Sequence, residues 1–294
     1  MTDRVSAVIV NYNAREHLLG CIASLRAAGV HDIVVADNAS VDGSEAAVRK
    51  ADPAVTYVQT GANLGYGSGA NRGAARAAAG TDYLLVTNPD VVVDPAAVKA
   101  LEATLDARPE LGLVGPRIDQ PDGEVYPSAR VFPKLGDAVG HAFLGLVWPG
   151  NRFTRRYRML DRDVTQPADV DWISGSCFLA RRAAWDQLSG FDEGYFMFGE
   201  DVDLCWRAWR AGWSVAFEPG ATVVHIEGVS RDRHPYRMIL EHHKGVLRFA
   251  AKTTTGPTRA LLPVMAAGLA VRTVMAWTHR FVDGRRSKAR ARVR

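Results

Sequence analysis

Cysteine is scarce in this chain. The sequence contains three cysteines among 294 residues, at Cys21, Cys177 and Cys205. They lie far apart and follow no spacing that is typical of a metal site. The prediction is therefore three reduced, mostly buried thiols of a cytosolic protein, and a disulfide framework is not expected.

Long apolar runs are also lacking. The longest late stretch covers residues 260–271, contains Pro263 and lies between Arg259 and Arg272. Because a bilayer crossing needs about 20 apolar residues, we expect this stretch to be too short to span a membrane, and an interfacial helix is the alternative. The N-terminus enters a strand pattern within a few residues, so no signal peptide is expected.

Charge is nearly balanced, with a formal net charge of +4, but the end of the chain is strongly basic. The basic residues of the last ten positions are Arg285, Arg286, Lys288, Arg290, Arg292 and Arg294. Such a tail contacts phosphate, in a lipid headgroup or a nucleic acid, or else remains a solvated end. Because no aromatic residues are interleaved with it, nucleic acid is not an expected partner.

What the sequence does contain is a regular alternation of strand and helix patterns over about its first 110 residues. Strand patterns at 5–10, 32–36, 55–59 and 83–86 alternate with helical patterns at 14–28, 44–51, 67–79 and 95–105. This order predicts an α/β fold with a parallel, doubly wound sheet flanked by helices. Further strands at 214–217 and 222–224 and a helix at 236–249 are predicted later in the chain.

Polar residues follow three of these strands. Asn11 and Asn13 follow the first, Asp37 follows the second, and Asn88 and Asp90 follow the fourth. Open α/β sheets bind ligands at this edge. Asp37 suits ribose hydroxyls or a base edge, with a turn aspartate as the alternative. Asp90 suits a hard cation that phosphate oxygens also ligate, or it belongs to a turn beside a proline.

His225 ends the strand predicted at 222–224. A histidine at the end of a strand has an ordinary structural alternative. A site made of Asp90 and His225 would suit manganese or magnesium together with phosphate oxygens.

A glycine-rich segment, residues 63–73, opens the third helix. Backbone amides at a helix N-terminus suit a diphosphate, and Asn63, Gly65 and Asn71 are candidate contacts. A Rossmann fingerprint would follow the first strand and read Gly-x-Gly-x-x-Gly, whereas this segment follows the third strand. The structural alternative is close packing of a helix on a strand through small residues.

A second acidic cluster contains Glu200, Asp201 and Asp203. It follows the aromatic segment 195–198, where burial would tune a carboxylate as a general base. The alternative is electrostatic, because acidic residues are favourable at a helix N-terminus without any catalytic role.

An acceptor site is predicted around Trp172, Ser174, Gly175 and Ser176. An aromatic ring beside small polar residues suits a sugar acceptor. The alternative is that this tryptophan belongs to the core.

These motifs together resemble a known family. They are Val8-Ile9-Val10-Asn11-Tyr12-Asn13, Asp37-Asn38-Ala39-Ser40, Asn63-Leu64-Gly65, Asn88-Pro89-Asp90, Ser174-Gly175-Ser176 and Gly199-Glu200-Asp201-Val202-Asp203-Leu204. In this order they resemble the family-2 inverting glycosyltransferases of the GT-A fold, above all bacterial rhamnosyltransferases that use dTDP-L-rhamnose. The resemblance implies a catalytic domain over residues 1–250. Residues 1–110 would bind the nucleotide, and residues 111–250 would bind the acceptor and carry catalysis. A basic helical extension, 251–294, would follow.

The resemblance also implies roles for single residues. Asp201 matches the catalytic base, with Glu200 as its neighbour. Asp37 matches the acid that contacts the nucleoside, and Asn11 and Asn13 match the lining of the nucleotide pocket. Asp90 matches the last acid of the family's metal-binding Asp-x-Asp motif. The first position of that motif is Asn88 here, so binding of Mg²⁺ or Mn²⁺ would depend on Asp90, the diphosphate and His225.

The implied reaction moves L-rhamnose from dTDP-L-rhamnose to a polyprenyl-diphospho-GlcNAc acceptor, as in mycobacterial-type cell-wall linker synthesis beneath arabinogalactan. The implied partners are the nucleotide sugar, the lipid-linked acceptor and the inner face of the cytoplasmic membrane, where a cytoplasmic enzyme would be peripherally associated. A homo-oligomer is an open alternative. Another nucleotide sugar or acceptor, or a binding protein without catalysis, is the alternative function.

Overall fold

The computed structural model describes residues 4–132, 148, 150–151, 155, 165–226 and 235–291, with side chains described no further than Arg280. The basic tail predicted at 285–294 lies outside these described side chains. The three cysteines are free and buried, as predicted.

Four parallel strands form the first part of the sheet, as the sequence predicts. They are β1 (Val5–Asn11), β2 (Asp32–Asp37), β3 (Thr56–Gln59) and β4 (Tyr83–Thr87). Their spatial order is β3-β2-β1-β4, with parallel pairing throughout. A short strand, β5 (Val91–Val93), follows β4. The helices between and after them are α1 (Arg15–Ala27), α2 (Ser44–Ala51), α3 (Tyr66–Ala74) and α4 (Ala97–Ala107).

The third helix is shorter than its sequence pattern. It ends at Ala74, whereas the alanine-rich pattern predicts helix to residue 79. The Ala78 amide donates a hydrogen bond of 2.7 Å to the carboxylate of Asp32, at the start of β2. This contact turns the chain toward β4, and helix propensity alone does not reveal it.

The second half of the chain completes the sheet with mixed pairing. Its strands are β6 (Leu111–Asp119), β7 (Val125–Tyr126), β8 (Ala129–Arg130), β9 (Ala168–Asp169), β10 (Trp172–Ile173), β11 (Cys177–Arg181) and β12 (Ser214–His225). Of these, β8 and β10 form a separate, antiparallel two-stranded sheet. β11 lies antiparallel between β4 and β6, and β12 runs parallel to β6 and antiparallel to β5. The two strands predicted at 214–217 and 222–224 are therefore one strand, with an irregularity between Glu218 and Thr222.

The helices of this half are α5 (Arg182–Leu188), α6 (Glu200–Arg210), α7 (Pro235–Thr253) and α8 (Leu262–Ala291), with a 3-10 turn at Gly256–Leu261 before α8. Residues from both faces of the sheet form two apolar cores. Ala7 and Ile9 of β1 belong to one core, whereas Val8 and Val10 belong to the other. This alternation is expected for a strand that is covered by helices on both faces.

The last two helices form a hairpin. The His243 side chain of α7 lies 2.6 Å from the Thr273 hydroxyl of α8, and both residues are buried. The Trp277 indole donates to the carbonyl oxygen of Tyr236 at 3.1 Å. These contacts pair α8 with α7.

The outer face of α8 is apolar and exposed. Its exposed large apolar residues are Val264, Val271, Val274, Met275 and Trp277, and Leu261 of the preceding 3-10 turn is exposed as well. The helical segment Gly256–Thr278, 23 residues long, is long and apolar enough to cross a membrane by length and composition alone. The expectation that the apolar stretch is too short is therefore wrong, because the structure continues the helix past Arg272 instead of ending it there.

Candidate active site

The ends of β1 and β2 form a compact polar turn. The side-chain amide of Asn11 donates hydrogen bonds to the Asp37 carboxylate, at 2.7 Å, and to the Ser40 hydroxyl, at 3.1 Å. Ser40 also donates through its backbone amide to Asp37, at 2.9 Å. Asp37 is fully buried, and both of its oxygens are used within this turn. The turn alternative therefore describes Asp37 well, and the Asn11 amide oxygen is left without a partner among the described residues.

Asn13 continues this turn in an unusual conformation. Its φ of 54° lies in the left-handed region, where Asn is enriched among non-glycine residues. Its backbone amide donates 2.7 Å to Ser40, and its side-chain oxygen accepts from the Val41 amide at 2.8 Å. The turns after β1 and β2 are thus one hydrogen-bonded unit.

A second polar group lies where β4, β5 and β12 meet. Asp90 Oδ1 lies 3.2 Å from His225 Nε2, and Asn88 Nδ2 lies 3.3 Å from the same nitrogen. Asp90 and His225 are 8% and 7% exposed, respectively. The backbone amide of Asn88 donates a hydrogen bond of 2.8 Å to the carbonyl oxygen of Ser176, which joins this group to the predicted acceptor segment. Three residues predicted to act together are therefore in contact.

The second acidic cluster lies at the N-terminus of α6. Asp201 Oδ2 accepts from the Gly175 amide at 3.1 Å, and Asp201 Oδ1 accepts from the Val202 amide at 2.9 Å. Glu200 is 6% exposed, and its Oε2 has no partner among the described residues. The two adjacent carboxyl groups therefore differ: Asp201 is held by two donors, and Glu200 is buried with one oxygen unsatisfied.

Burial changes the acidity of this pair. It is the main cause that raises the pKa of Glu200 above its ordinary value, and the negative charge of Asp201 raises it further. Burial also raises the pKa of Asp201, against the opposing effects of the Gly175 and Val202 amides and of Arg130. Two adjacent carboxylates in such a place do not both ionise readily.

Tyr66 connects the acidic groups. Its hydroxyl donates 2.5 Å to the Gly175 carbonyl, next to the amide that holds Asp201. Burial is the main cause that raises the pKa of Tyr66, and the negative charges of Glu200, Asp201 and Asp90 raise this pKa further. Gly175 binds Asp201, and the carbonyl of the next residue, Ser176, accepts from the Asn88 backbone amide, so this segment joins the two acidic clusters.

The glycine-rich segment is required for packing. A Cβ at Gly65 would lie 2.1 Å from the Phe196 carbonyl oxygen, and a Cβ at Gly73 would lie 2.4 Å from Val8. The φ of Gly65 is +89°. The packing alternative is therefore what the structure shows for these glycines, and it brings the start of α3 against the aromatic segment that leads to Glu200.

The two asparagines of this segment are both used internally. Asn63 accepts from the Gly65 amide at 3.1 Å. Asn71 donates to the Phe191 carbonyl at 2.9 Å and accepts from the Phe191 amide at 2.9 Å. Both ends of the Asn71 side-chain amide therefore hold the loop before α6, and its predicted contact with a nucleotide sugar stays a prediction.

Of the predicted acceptor residues, Trp172, Ser174 and Gly175 are buried, and Ser176 is half-buried. Trp172 is 4% exposed, and its indole donates 3.0 Å to the Val131 carbonyl. The core alternative is therefore correct for this ring, because its edge and faces are covered by protein. Ser174 and Ser176 pair through their hydroxyls at 3.0 Å, beside the Gly175 amide that binds Asp201.

Sequence reasoning missed Arg130 and Tyr66. The Arg130 guanidinium stacks 4.9 Å from the Trp172 ring and 5.3 Å from the Tyr126 ring, and its charge lowers the pKa of Asp201. Arg130 lies in a region without a readable pattern, so no sequence signal marks it. Tyr66 lies within the glycine-rich segment, and its buried position could have been suspected only from that context.

The chain was compared with known proteins. Residues 3–237 match the profile of the family described as glycosyltransferase like family 2. N-acetylglucosaminyl-diphospho-decaprenol L-rhamnosyltransferase of Mycobacterium tuberculosis (strain ATCC 25618 / H37Rv) is 41% identical over 273 residues, with 89% of each chain covered. Rhamnosyltransferase WbbL of Escherichia coli (strain K12) is 28% identical over 175 residues, covering 58% of this chain and 62% of WbbL.

Solved structures show the same fold. The mannosyltransferase PcManGT from Pyrobaculum calidifontis, in complex with GDP-Man and Mn²⁺, superposes with a TM-score of 0.56 at 15% identity, covering 94% of this chain and 75% of that one. At this identity the likeness concerns the fold alone, which is the GT-A fold predicted from the motifs. With the profile match over most of its length and a relative at 41% identity, this chain belongs to glycosyltransferase family 2 and is a glycosyltransferase.

Proposed function

We propose that this enzyme transfers L-rhamnose from dTDP-L-rhamnose to a polyprenyl-diphospho-GlcNAc acceptor, with inversion at the anomeric carbon. The observation that carries this proposal is the 41% identity, over 89% of both chains, to a rhamnosyltransferase named for a GlcNAc-diphospho-decaprenol acceptor. The product would enter the cell-wall linker that carries arabinogalactan.

Asp201 is the proposed general base. As the acceptor oxygen attacks the anomeric carbon, its proton passes to Asp201, and the bond from that carbon to the diphosphate breaks with its electron pair leaving on the nucleotide. A single displacement of this kind inverts the configuration. The Gly175 and Val202 amides orient the Asp201 carboxylate through one bond to each oxygen. General-base catalysis of this kind contributes about 10²–10⁴-fold.

Glu200 is the proposed neutral partner of that base. Because burial raises its pKa, and the Asp201 charge raises it further, Glu200 holds its proton while Asp201 is ionised. The pair then carries one negative charge instead of two. Because Glu200 stays neutral, the negative charge of the pair lies on Asp201, whose carboxylate accepts hydrogen bonds from two backbone amides.

The proposed donor site is the edge formed by the ends of β1, β2 and β4. The unpartnered Asn11 oxygen offers an acceptor to the nucleoside, beside Asn13 and Asp37. Asn63, Gly65 and Asn71 act by shaping the start of α3, since their contacts in the structure are internal. Asn88 borders the diphosphate position next to Asp90.

Asp90 and His225 are the proposed ligands of a divalent cation. Their oxygen and nitrogen lie 3.2 Å apart, and one carboxylate with one imidazole is a donor set that manganese accepts. Among residues 4–132, 165–226 and the described hairpin, no group of three or more metal-binding side chains occurs. Asp90 and His225 alone would therefore hold Mg²⁺ or Mn²⁺ only together with oxygens from outside the protein, such as those of diphosphate and water. When bound, such a cation neutralises charge on the leaving diphosphate.

The acceptor sugar is proposed to bind beside Ser174, Gly175 and Ser176, because this segment lies against Asp201. Its lipid would lie in the cytoplasmic membrane, with the apolar face of α8 associated with that membrane from the cytoplasmic side. The exposed apolar residues of α8 support this placement. An amphipathic or apolar helix of this type binds a bilayer through its buried apolar area.

A donor screen tests the reaction. The full chain is incubated with dTDP-L-rhamnose, UDP-sugars or GDP-mannose and a short polyprenyl-diphospho-GlcNAc, and products are weighed by mass spectrometry. The acceptor is expected to gain one rhamnosyl residue when dTDP-L-rhamnose is the donor, and no sugar when another donor is supplied. Transfer of a different sugar would reassign the donor, and donor binding without any transfer would support a binding protein that lacks catalysis.

A flotation assay tests the membrane association. The full chain is expected to bind liposomes of anionic lipid, and a chain truncated after residue 255 is expected to stay in solution while it transfers sugar to a short, soluble acceptor analogue. If the truncated chain floats with the liposomes as well as the full chain does, α8 is not the membrane contact.

A further inference from the structure

The backbone that presents Glu200 and Asp201 is strained. Phe198 has a φ of 71° and Gly199 a φ of 91°, so two consecutive residues before α6 adopt the left-handed conformation. For a bulky residue such as Phe198 this conformation is unfavourable, because the Cβ atom approaches the following carbonyl oxygen. Strained backbone of this kind persists only where surrounding contacts hold it. The question is which contacts hold this turn.

The nearest contact is with α7. A Cβ at Gly245 would lie 2.2 Å from the Phe198 carbonyl oxygen, so α7 packs directly against the strained turn. The Gly199 Cβ position lies 3.5 Å from the carbonyl carbon of Gly245. The Phe198 ring contacts the His242 ring edge-to-face, with centroids 5.7 Å apart. Only glycine at 245 permits this approach.

Ion pairs attach α7 to the chain on both sides of the turn. Before it, Asp192 pairs with Arg248 at 2.8 Å and with Lys252 at 3.0 Å. After it, Lys252 pairs at 2.6 Å with Asp203, which also pairs at 2.7 Å with Arg207 within α6 itself. The Asp203 side chain is fully buried, so its charge is screened less by solvent than an exposed carboxylate would be.

Lys252 therefore bridges the two sides of the catalytic turn. Its ammonium group contacts Asp192, which precedes the turn, and Asp203, which lies two residues after Asp201 on the first turn of α6. Among the described ion pairs, the one between Lys252 and Asp203 joins α7 to α6, so removing Lys252 breaks this contact even though Asp203 keeps its pair with Arg207 within α6. The position of α6 thus depends on a residue near the C-terminal end of α7.

We infer that α7 is a positioning element of the active site, in which Gly245 and Lys252 hold the Phe198–Gly199 turn and thereby the direction of the Asp201 carboxylate. These residues touch neither donor nor acceptor, and they act through Asp201. The inference rests on the proposed function, since Asp201 is the base assigned there. Helix α7 is then a support of the active site, whereas α8 is not required for this role.

The first test substitutes a methyl group into the contact. Gly245→Ala in the full chain is expected to lower kcat on the order of 10²-fold, as a misplacement of about 1 Å does, while KM for the nucleotide sugar changes little. Gly268→Ala is the matched control, because Gly268 lies on α8 with nothing within 4 Å of its Cβ position. Unchanged kcat in folded Gly245→Ala, or an equal loss in Gly268→Ala, would overturn the inference.

The second test removes the bridge at a partly exposed position, where folding is expected to survive. The Lys252 side chain is 31% exposed, and Lys252→Met is expected to lower kcat more than tenfold, with Lys252→Arg restoring most of it. Lys244→Met is the control, since Lys244 pairs with Glu241 on the helix surface. If Lys252→Met keeps the wild-type kcat, α7 does not position the base.

Hydrogen exchange separates this inference from the reaction itself. Backbone amides of residues 195–203 are expected to exchange faster in Gly245→Ala and Lys252→Met than in wild type, and unchanged in both controls. This readout needs no turnover. If wild type transfers no sugar, the proposed function fails while exchange still tests the turn, and if wild type transfers sugar but exchange and kcat are unchanged in the variants, only the inference fails.

Discussion

The two acidic groups of the site are built in different ways. Asp90 lies at the junction of strands, with His225 and Asn88 as close polar neighbours. Glu200 and Asp201 open a helix, against aromatic residues, and one Glu200 oxygen has no partner among the described residues. The first arrangement supplies a carboxylate with open coordination, and the second supplies carboxyl groups whose pKa values are raised. The same side-chain chemistry therefore suits a cation in one place and proton transfer in the other.

The largest effect is expected at the base. Asp201→Asn keeps the shape and one acceptor oxygen but removes the basic oxygen, so turnover should fall by about 10²–10⁴-fold while donor binding is retained. The measurement is kcat together with calorimetric binding of the nucleotide sugar. Near-normal turnover would move the base to Glu200 or Asp203 and erase the contrast between the two groups.

The next effect concerns the cation. Chelator should abolish activity, and Mg²⁺ or Mn²⁺ should restore it. Asp90→Ala should weaken nucleotide-sugar binding by about tenfold or more when metal is present, because Asp90 would hold the cation that neutralises charge on the diphosphate. Calorimetry with and without metal makes the comparison. An equal loss in both conditions would show that Asp90 has a structural role, as the turn alternative holds.

A weaker effect is expected at the imidazole of the same group. His225→Gln keeps a polar side chain and should reduce metal-dependent binding less than Asp90→Ala does, because the carboxylate supplies the charge. Titration of Mn²⁺ against each variant in the presence of nucleotide gives the two affinities. A greater loss in His225→Gln would reverse the assigned order of the ligands.

The smallest change in rate is expected for Glu200→Gln. The amide imitates the protonated acid, so kcat above the acid limb should stay within about fivefold of wild type. In the wild type, activity should fall as pH falls through the raised pKa of the pair. Measuring kcat against pH tests this, and a hundredfold loss in Glu200→Gln would make Glu200 a working base.

The free energy of unfolding of the same variant gives an independent test of the raised Glu200 pKa. The folded-state pKa of Glu200 is raised, so its contribution to stability is complete below the unfolded pKa and is lost as pH rises through the folded pKa. Wild type should therefore lose free energy of unfolding over that interval, and Glu200→Gln should lose less. Denaturant unfolding at several pH values measures the difference, and identical pH dependence would contradict the raised pKa.

Much of the first half was predictable because its signals are local. A β-branched run such as Val5–Asn11 has the composition of a covered strand, and polar residues directly after it must lie at the carboxyl edge of a parallel sheet. The three positions Asn11, Asp37 and Asp90 were found this way. The motif order then gave the family, because six weak signals in one order are specific together.

What the tertiary structure decided is a matter of long-range contact. His225 meets Asp90 across 135 positions of sequence, and Gly175 meets Asp201 across 26, so no local pattern reports either pair. Packing likewise decided that Trp172 is covered and that Asn71 holds the Phe191 loop. The sequence by itself determined the four parallel strands of the first half and the carboxylates that follow them. Only the folded chain decided their partners, because burial, pKa and backbone strain depend on spatial neighbours that are distant in sequence.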